Sequence, residues 1–259
     1  MMQKPLLIIG NKNYSSWSLR AWLLLKAFNI DFDEQLVELF HPSARPTLEA
    51  HSPTGKVPIL VYGEKDNKVT VWDTLAIAMH ANEYFTDIDI WTGIDIWTGI
   101  DKSNAEKRNN NQSRINSAYC QSIVAEMHSG LTGIRNEMPM NIRATAKIQP
   151  SSACLADITR IEDIFDDCLK TRSADSFLFG DFTASDVFFA PVVLRLQTYA
   201  DASNITLQPL TKQYCQTMLN HPHIQAWQQS ALTETRIIEE DEAGKIISIA
   251  GILANNHSF

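Results

Sequence analysis

Hydroxyl groups at the start of a helix can do chemistry without a metal or an enzyme thiol. The run Tyr14-Ser15-Ser16-Trp17-Ser18-Leu19-Arg20 follows a short apolar strand signal and opens a helical pattern. A helix N-terminus presents unpaired N–H groups and partial positive charge, so serines there either cap the helix or help to hold an anion. Lys56-Val57-Pro58 precedes the third strand signal, and proline is permitted at a strand's first residue. Such a proline can also be cis, which turns the preceding residue's backbone towards a ligand. The N–H and C=O of Val57 could then pair with an extended peptide as an added strand does. Asp73-Thr74 opens a further helix. The pair is either an N-cap or a ligand site in which Asp73 takes an ammonium while Thr74 and the helix end take a carboxylate.

The elements that must position these residues alternate in type. Pro5–Gly10 reads as a buried strand, and Ala21, Trp22, Leu24, Leu25 and Phe28 form a helical stripe after the serines. Phe32 to Leu39 is a strand candidate. Two closely spaced strands follow, Pro58–Tyr62 and Val69–Trp72, joined by the polar turn GEKDNK, and a helix runs from Thr74 to Tyr84. The order βαβ then ββα predicts a thioredoxin-like α/β domain. After Lys102 strand signals largely stop. Helical spacing over Ser113–Arg135, Leu155–Leu169, Asp186–Tyr199 and Ile224–Leu232 predicts an all-α domain. Thr183-Ala184-Ser185-Asp186 reads as a capping box with Asp as the acidic partner, and Phe182 with Val187 as its hydrophobic staple. We therefore expect an α/β domain at 1–86, a linker at 87–103, an all-helical domain at 104–235 and a tail at 236–259. The tail begins with the acidic EEDE and turns apolar, so it is an added strand, a docked segment or a disordered end.

These motifs, in this order, resemble the cytosolic glutathione transferase superfamily over about residues 5–235. SSWSLR is similar to the SSxSxR motif of its zeta class, whose best-known members are maleylacetoacetate isomerases. KVP resembles the superfamily's cis-proline loop, DTLAIA its Glu/Gln-Ser helix start, and GDFTASD the box of its helical domain. Trp17 stands where zeta enzymes carry Cys. The resemblance implies glutathione as co-substrate, bound by the 1–86 domain, and a small electrophile as acceptor, bound between the domains. It makes Ser15 the catalytic hydroxyl towards the glutathione sulfur and Ser16 a glutathione contact. Asp73 and Thr74 hold the γ-glutamyl end, Val57 pairs with the cysteinyl backbone, and Lys56 meets a ligand carboxylate. A homodimer is implied as well. A glutathione-transferase-like binding module without turnover and a maleylacetoacetate isomerase-type enzyme are the alternatives.

The rest of the chain narrows the field. Acidic residues outnumber basic ones 30 to 22, for a net charge of −8, which disfavours the counterion-release binding of nucleic acids. No apolar stretch suggests a leader or a membrane span, and the cytoplasm is the expected location. The four cysteines, Cys120, Cys154, Cys168 and Cys215, form no CxxC pair, and the first 119 residues contain none. Thioredoxin-type and cysteine-dependent exchange chemistry are thereby excluded from the α/β domain. His221-Pro222-His223 near Cys215 suits a helix start better than a metal, and no metal is expected. Arg20 reads as an ion-pair partner or a thiolate partner, and His128 as a packed histidine or a base. The hexapeptide IDIWTG occurs twice in tandem, at 88–93 and 94–99. It is too short for a solenoid unit, so the second copy is expected to be spare, unless Trp91 and Trp97 build a partner surface.

Overall fold

The computed structural model describes residues 4–92, 94–95 and 111–256. β1 (Leu6–Ile9) carries four apolar residues, so both of its faces can be covered. α1 (Ser16–Ala27) provides the crossover that a parallel neighbour requires, and β2 (Asp33–Leu36) pairs parallel with β1. The expected strand Phe32–Leu39 is shorter than its pattern. A short α2 (Ala44–Glu49), absent from the sequence reading, leads to β3 (Ile59–Tyr62) and β4 (Val69–Trp72), each antiparallel to its predecessor in the sheet. Gly63 turns the chain between them at φ 81, where a Cβ would meet the Asn67 carbonyl oxygen at 2.2 Å. α3 (Thr74–Tyr84) completes the unit. The sheet order is β2-β1-β3-β4, the thioredoxin-like arrangement.

Strand alternation divides the apolar residues between two faces. Leu7, Ile9 and Leu60 join the main core, which continues through Leu19 and Leu23 of α1 to Phe188 and Trp227. Ile8, Ile59 and Val61 cover the opposite face with Val37, Ala44 and Leu48. Past α3, β5 (Ile88–Asp89) and β6 (Ile94–Asp95) pair antiparallel, so the first residues of the two IDIWTG copies lie side by side. Trp91 packs against the core, and Trp97 lies outside the described residues.

The second half is built from α4 (Asn111–Ser129), α5 (Thr132–Glu137), α6 (Ser152–Leu169), α7 (Ala184–Tyr199), α8 (Pro209–Leu219) and α9 (Pro222–Ala231). The single helix expected over Ser113–Arg135 breaks at Gly130–Leu131, where Leu131 adopts a left-handed φ of 55°. Arg135 turns back from α5 to cap the end of α4. Its Nε donates to the Gly130 carbonyl at 2.9 Å, and its Nη2 to the carbonyls of Met127 and His128. Those carbonyls lack partners within the helix.

α7 is buried along almost its whole length and packs on both α1 and α4. The expected capping box forms: the Thr183 N–H donates to Asp186 Oδ2 at 2.9 Å. Asp186 Oδ1 also accepts from the Leu178 N–H at 3.1 Å and the Tyr214 hydroxyl at 2.8 Å. Burial pushes the Asp186 carboxyl up to about 6, against the pull of those donors.

The strand signals did not end at Lys102. β7 (Ala144–Lys147) pairs antiparallel with β8 (Lys245–Ile249), so the tail supplies an added strand to a ribbon on the helical half. Alanines at the buried positions of β7 gave it little strand signature. The EEDE run is partly docked: Asp241 and Glu242 are half-buried. No helix among the described residues is long and apolar enough to cross a membrane.

Two tests follow from this architecture. Deleting residues 94–99 brings Ile100-Asp101 into the place of Ile94-Asp95 with identical side chains, so the melting temperature should stay nearly constant. A fall of many degrees in a thermal scan would mean that the second copy is structural. Asp186→Ala strands three buried donors, each costing about 1–3 kcal/mol. Urea denaturation should show a loss of about 3 kcal/mol or more.

Candidate functional site

The loop from Gly10 to Ser15 joins β1 to α1. Ser15 is the N-cap of α1: its Oγ accepts from the Ser18 N–H at 3.3 Å and donates to Ser18 Oγ at 2.8 Å. Ser18 Oγ also accepts from the Gly10 N–H at 2.9 Å, so strand end and helix start are tied together. Ser16 lies one position into the helix. Its Oγ accepts from Arg195 Nη2 at 3.3 Å, and among the described residues its own proton has no acceptor. Ser15 and Ser16 are both largely buried, and both face one cleft.

That cleft has a volume of about 990 Å³. One wall is the β1–α1 turn with Ser15, Ser16 and Trp17, and another is the segment Leu39–Pro42 with Arg45 of α2. Lys56 and Val57 contribute the loop before β3, where the Val57–Pro58 peptide bond is cis. Val57 N–H and C=O make no hydrogen bond to another described residue. The far wall comes from the second half of the chain: Arg135, Arg195 and Asp241. The opening lies between the sheet and the helices, and its lining carries more cationic than anionic side chains.

Arg195 stands out because the rest of α7 is so apolar. It is 5% exposed, donates from Nε to the Met138 carbonyl at 2.7 Å, and leaves Nη1 without a partner. Burial, with Arg135 nearby, lowers its pKa to about 10, so it stays cationic at neutral pH. Arg20 is wholly buried and forms no ion pair among the described residues. Its Nε donates to the Phe188 carbonyl at 3.2 Å, and its guanidinium lies 4.8 Å from the Trp17 ring centroid and 5.6 Å from that of Phe188. Burial holds it well below the usual arginine range.

Asp73 and Thr74 sit apart from the cleft lining. Asp73 is the N-cap of α3 at a left-handed φ of 73°. Its Oδ1 accepts from the N–H groups of Leu75 at 2.8 Å and Ala76 at 3.3 Å, and its Oδ2 lies 3.3 Å from His128 Nε2. Thr74 Oγ1 is buried and has no partner among the described residues. Trp17 links the two places, since it lines the cleft and stands edge-on to His128, with ring centroids 5.3 Å apart.

Ser15, Ser16, Lys56 and Val57 thus share one cavity, while Asp73 and Thr74 form a separate pair beside it. Sequence reading missed Arg195 and Asp241. The signal for Arg195 was a lone charge inside VFFAPVVLRL; Asp241 was hidden in a charge run. His221 caps α9, its Nδ1 accepting from the His223 N–H at 3.3 Å, and its ring stacks on Phe182 at 4.4 Å. Among the described residues no His, Cys, Asp and Glu cluster could hold a metal.

Known proteins share the fold. Residues 14–83 match the family of the glutathione S-transferase N-terminal domain. No curated protein sequence matches the chain at a significant level. A glutathione transferase homologue from Burkholderia gl BGR1, solved with bound glutathione, is similar over 88% of this chain and 98% of its own, at 17% identity and a TM-score of 0.60. Glutathione transferase Omega 3C from Trametes versicolor matches 88% of this chain and 90% of its own, at 15% identity and a TM-score of 0.61. A Tau class glutathione S-transferase from mango, Mangifera indica, covers 88% and 94% at 15% identity and a TM-score of 0.55. Residues 14–83 therefore resemble the glutathione S-transferase N-terminal domain, and the chain as a whole has the fold of the glutathione transferases.

Proposed function

We propose that the protein is a glutathione-dependent transferase that uses a serine hydroxyl at the start of α1 to hold the glutathione thiolate for attack on a small electrophile. The observation that carries this reading is the shared cavity of Ser15, Ser16, Lys56 and Val57 at a helix N-terminus, within a stretch that matches the transferase N-terminal domain. The Burkholderia homologue, of the same fold, was solved with glutathione bound, which supports glutathione as the co-substrate here.

Glutathione is a γ-Glu-Cys-Gly peptide with two carboxylates and one ammonium. Unpaired Val57 backbone groups suit the cysteinyl backbone, and Lys56 suits a ligand carboxylate. Asp73 offers its carboxylate to the ammonium, while Thr74 has an unused hydroxyl for the γ-glutamyl carboxylate. At the sulfur, Ser15 redirects its proton from Ser18 to the thiolate, exchanging a neutral acceptor for a charged one. A free thiol has a pKa of about 8.5. A hydrogen bond to a charged group contributes about 1.5–3 kcal/mol and the helix end about 0.3–1 kcal/mol. At about 1.36 kcal/mol per pKa unit, these lower the thiol pKa by about 1–3. The thiol proton leaves to solvent, and the sulfur lone pair forms the new bond to the electrophile as its leaving group departs with the bonding pair or, at an activated double bond, as the displaced π pair takes up a proton from solvent.

A second reading has its own support. Arg135 and Arg195 line the cleft, Arg195 bonded to Ser16, and neither forms an ion pair with a carboxylate among the described residues, which suits an acidic acceptor such as that of a maleylacetoacetate isomerase-type enzyme. A zeta-like assignment rests on this and on SSWSLR. A homodimer is the assembly we infer, supported by the exposed apolar side chains Trp72, Met79 and Tyr84 on β4 and α3. A panel of electrophiles assayed with and without glutathione separates conjugation, isomerisation and peroxide reduction from a binding module without turnover.

Isothermal titration at millimolar glutathione should show saturable binding that Asp73→Ala weakens; absence of saturation would sink the reading. Ser15→Ala should raise the pKa of the bound thiol by about 1–2, read by ultraviolet titration of the thiolate, and leave affinity largely intact. As Ser15 is also an N-cap, the variant should lose about 1 kcal/mol of stability. A thiol titration moved only by Ser16→Ala would transfer the catalytic role to that hydroxyl.

A further inference from the structure

His128 is placed where a packed core histidine has no reason to be. It projects from the last turn of α4 and brings Nε2 to 3.3 Å from Asp73 Oδ2. The other carboxylate oxygen of Asp73 is already engaged as the cap of α3. Oδ2 is thus the oxygen left for a ligand ammonium, and His128 already stands on it. The imidazole is also fixed from its other sides. Trp17 meets it edge-on at 5.3 Å, Phe188 lies 6.1 Å away, and Nδ1 is buried with no partner among the described residues.

Resting on the glutathione reading, we propose that His128 is a positioning residue which sets ligand affinity through Asp73. Neutral, it orients the carboxylate from the helical half of the chain. Protonated, it becomes an ion-pair partner for Oδ2 and competes with the ligand ammonium for the same oxygen.

The charged groups around the ring come from three elements. Asp73, at the start of α3, favours the imidazolium; Arg20 of α1 and Arg135 of α5 oppose it. Burial opposes it more strongly than either, and the net result lies below the ordinary histidine value. His128 is therefore neutral at pH 7 and becomes charged only in acid. Linkage makes the effect reciprocal: if protonation weakens ligand binding, ligand binding lowers the His128 pKa to match. A ligand ammonium seated at Oδ2 removes the one group that favours the imidazolium, which should lower that pKa by about one unit.

The probe is S-methylglutathione, which keeps the ammonium and both carboxylates but has no thiol to titrate. Its dissociation constant, measured by isothermal titration from about pH 7.5 to about pH 5, should rise several-fold with wild-type protein. With His128→Gln, which keeps a donor amide but cannot take the charge, it should stay within about two-fold over the same range. Binding that is flat with pH in the wild type overturns the inference and leaves the glutathione reading standing. Absence of binding at every pH overturns both. Should His128→Gln not fold, the wild-type His128 ring followed by NMR decides. Saturating S-methylglutathione must lower its pKa by about one unit, and an unmoved titration overturns the proposal.

Discussion

Lys12, Asn13 and Tyr14, in the loop that carries the serines, find hydrogen-bond partners outside the domain in which they lie. Glu234, after the last helix, accepts from the N–H groups of Lys12 at 2.6 Å and Asn13 at 3.1 Å. The Trp227 indole donates to the Lys12 carbonyl at 3.0 Å, Asn13 Nδ2 donates to Asn141 Oδ1 at 2.9 Å, and Asn13 Oδ1 accepts from the Arg143 N–H at 3.0 Å. Arg143 and Glu242 converge on the Tyr14 hydroxyl. Every one of these partners comes from the second half of the chain. A buried donor or acceptor without a partner costs about 1–3 kcal/mol, so the geometry at Ser15 depends on docking of the helices and the tail.

The same docking places charge where an isolated α/β domain would have none. Arg195 reaches the cleft from the apolar middle of α7, and Arg135 reaches it while capping α4. Leaving a guanidinium buried without a counter-charge is costly. The structure offsets part of that with carbonyl acceptors and with aromatic faces: Trp17 receives Arg20 on its ring at 4.8 Å and Arg135 at 5.1 Å. Trp17 thereby joins the serine turn, the arginines and His128 in one contact chain.

How much of this was legible in the sequence depended on how far apart the interacting residues lie. The Ser15 cap, the Asp73 cap and the Thr183–Asp186 box are closed by groups two or three residues away. Residue type and spacing suffice for such features. The thioredoxin-like sheet was legible for a similar reason: its strands are short apolar runs separated by polar turns. The break at Gly130–Leu131 was not, since the helical stripe continues across it and only the return of Arg135 to the α4 carbonyls makes it stable. Neither was β7, whose buried alanines give little strand signal and whose partner β8 lies about a hundred residues away.

By itself, then, the sequence determined the main strands and helices of the α/β half and the long helices after it, which hydroxyls and carboxylates stand at helix starts, and that the α/β half has no thiol of its own. Those outcomes follow from local backbone satisfaction and from apolar periodicity, which act over a few residues. Only the tertiary structure decided that Lys56 and Val57 share a cavity with Ser15 and Ser16 while Asp73 and Thr74 stand beside it. It alone set Arg195 against Ser16, brought His128 to Asp73, and turned two residues of an acidic run into Asp241 of the cleft wall and Glu242 of the Tyr14 network. Each of these contacts joins groups many tens of residues apart. Burial and charge at such points are properties of how the two halves pack, and no window of the sequence contains both partners.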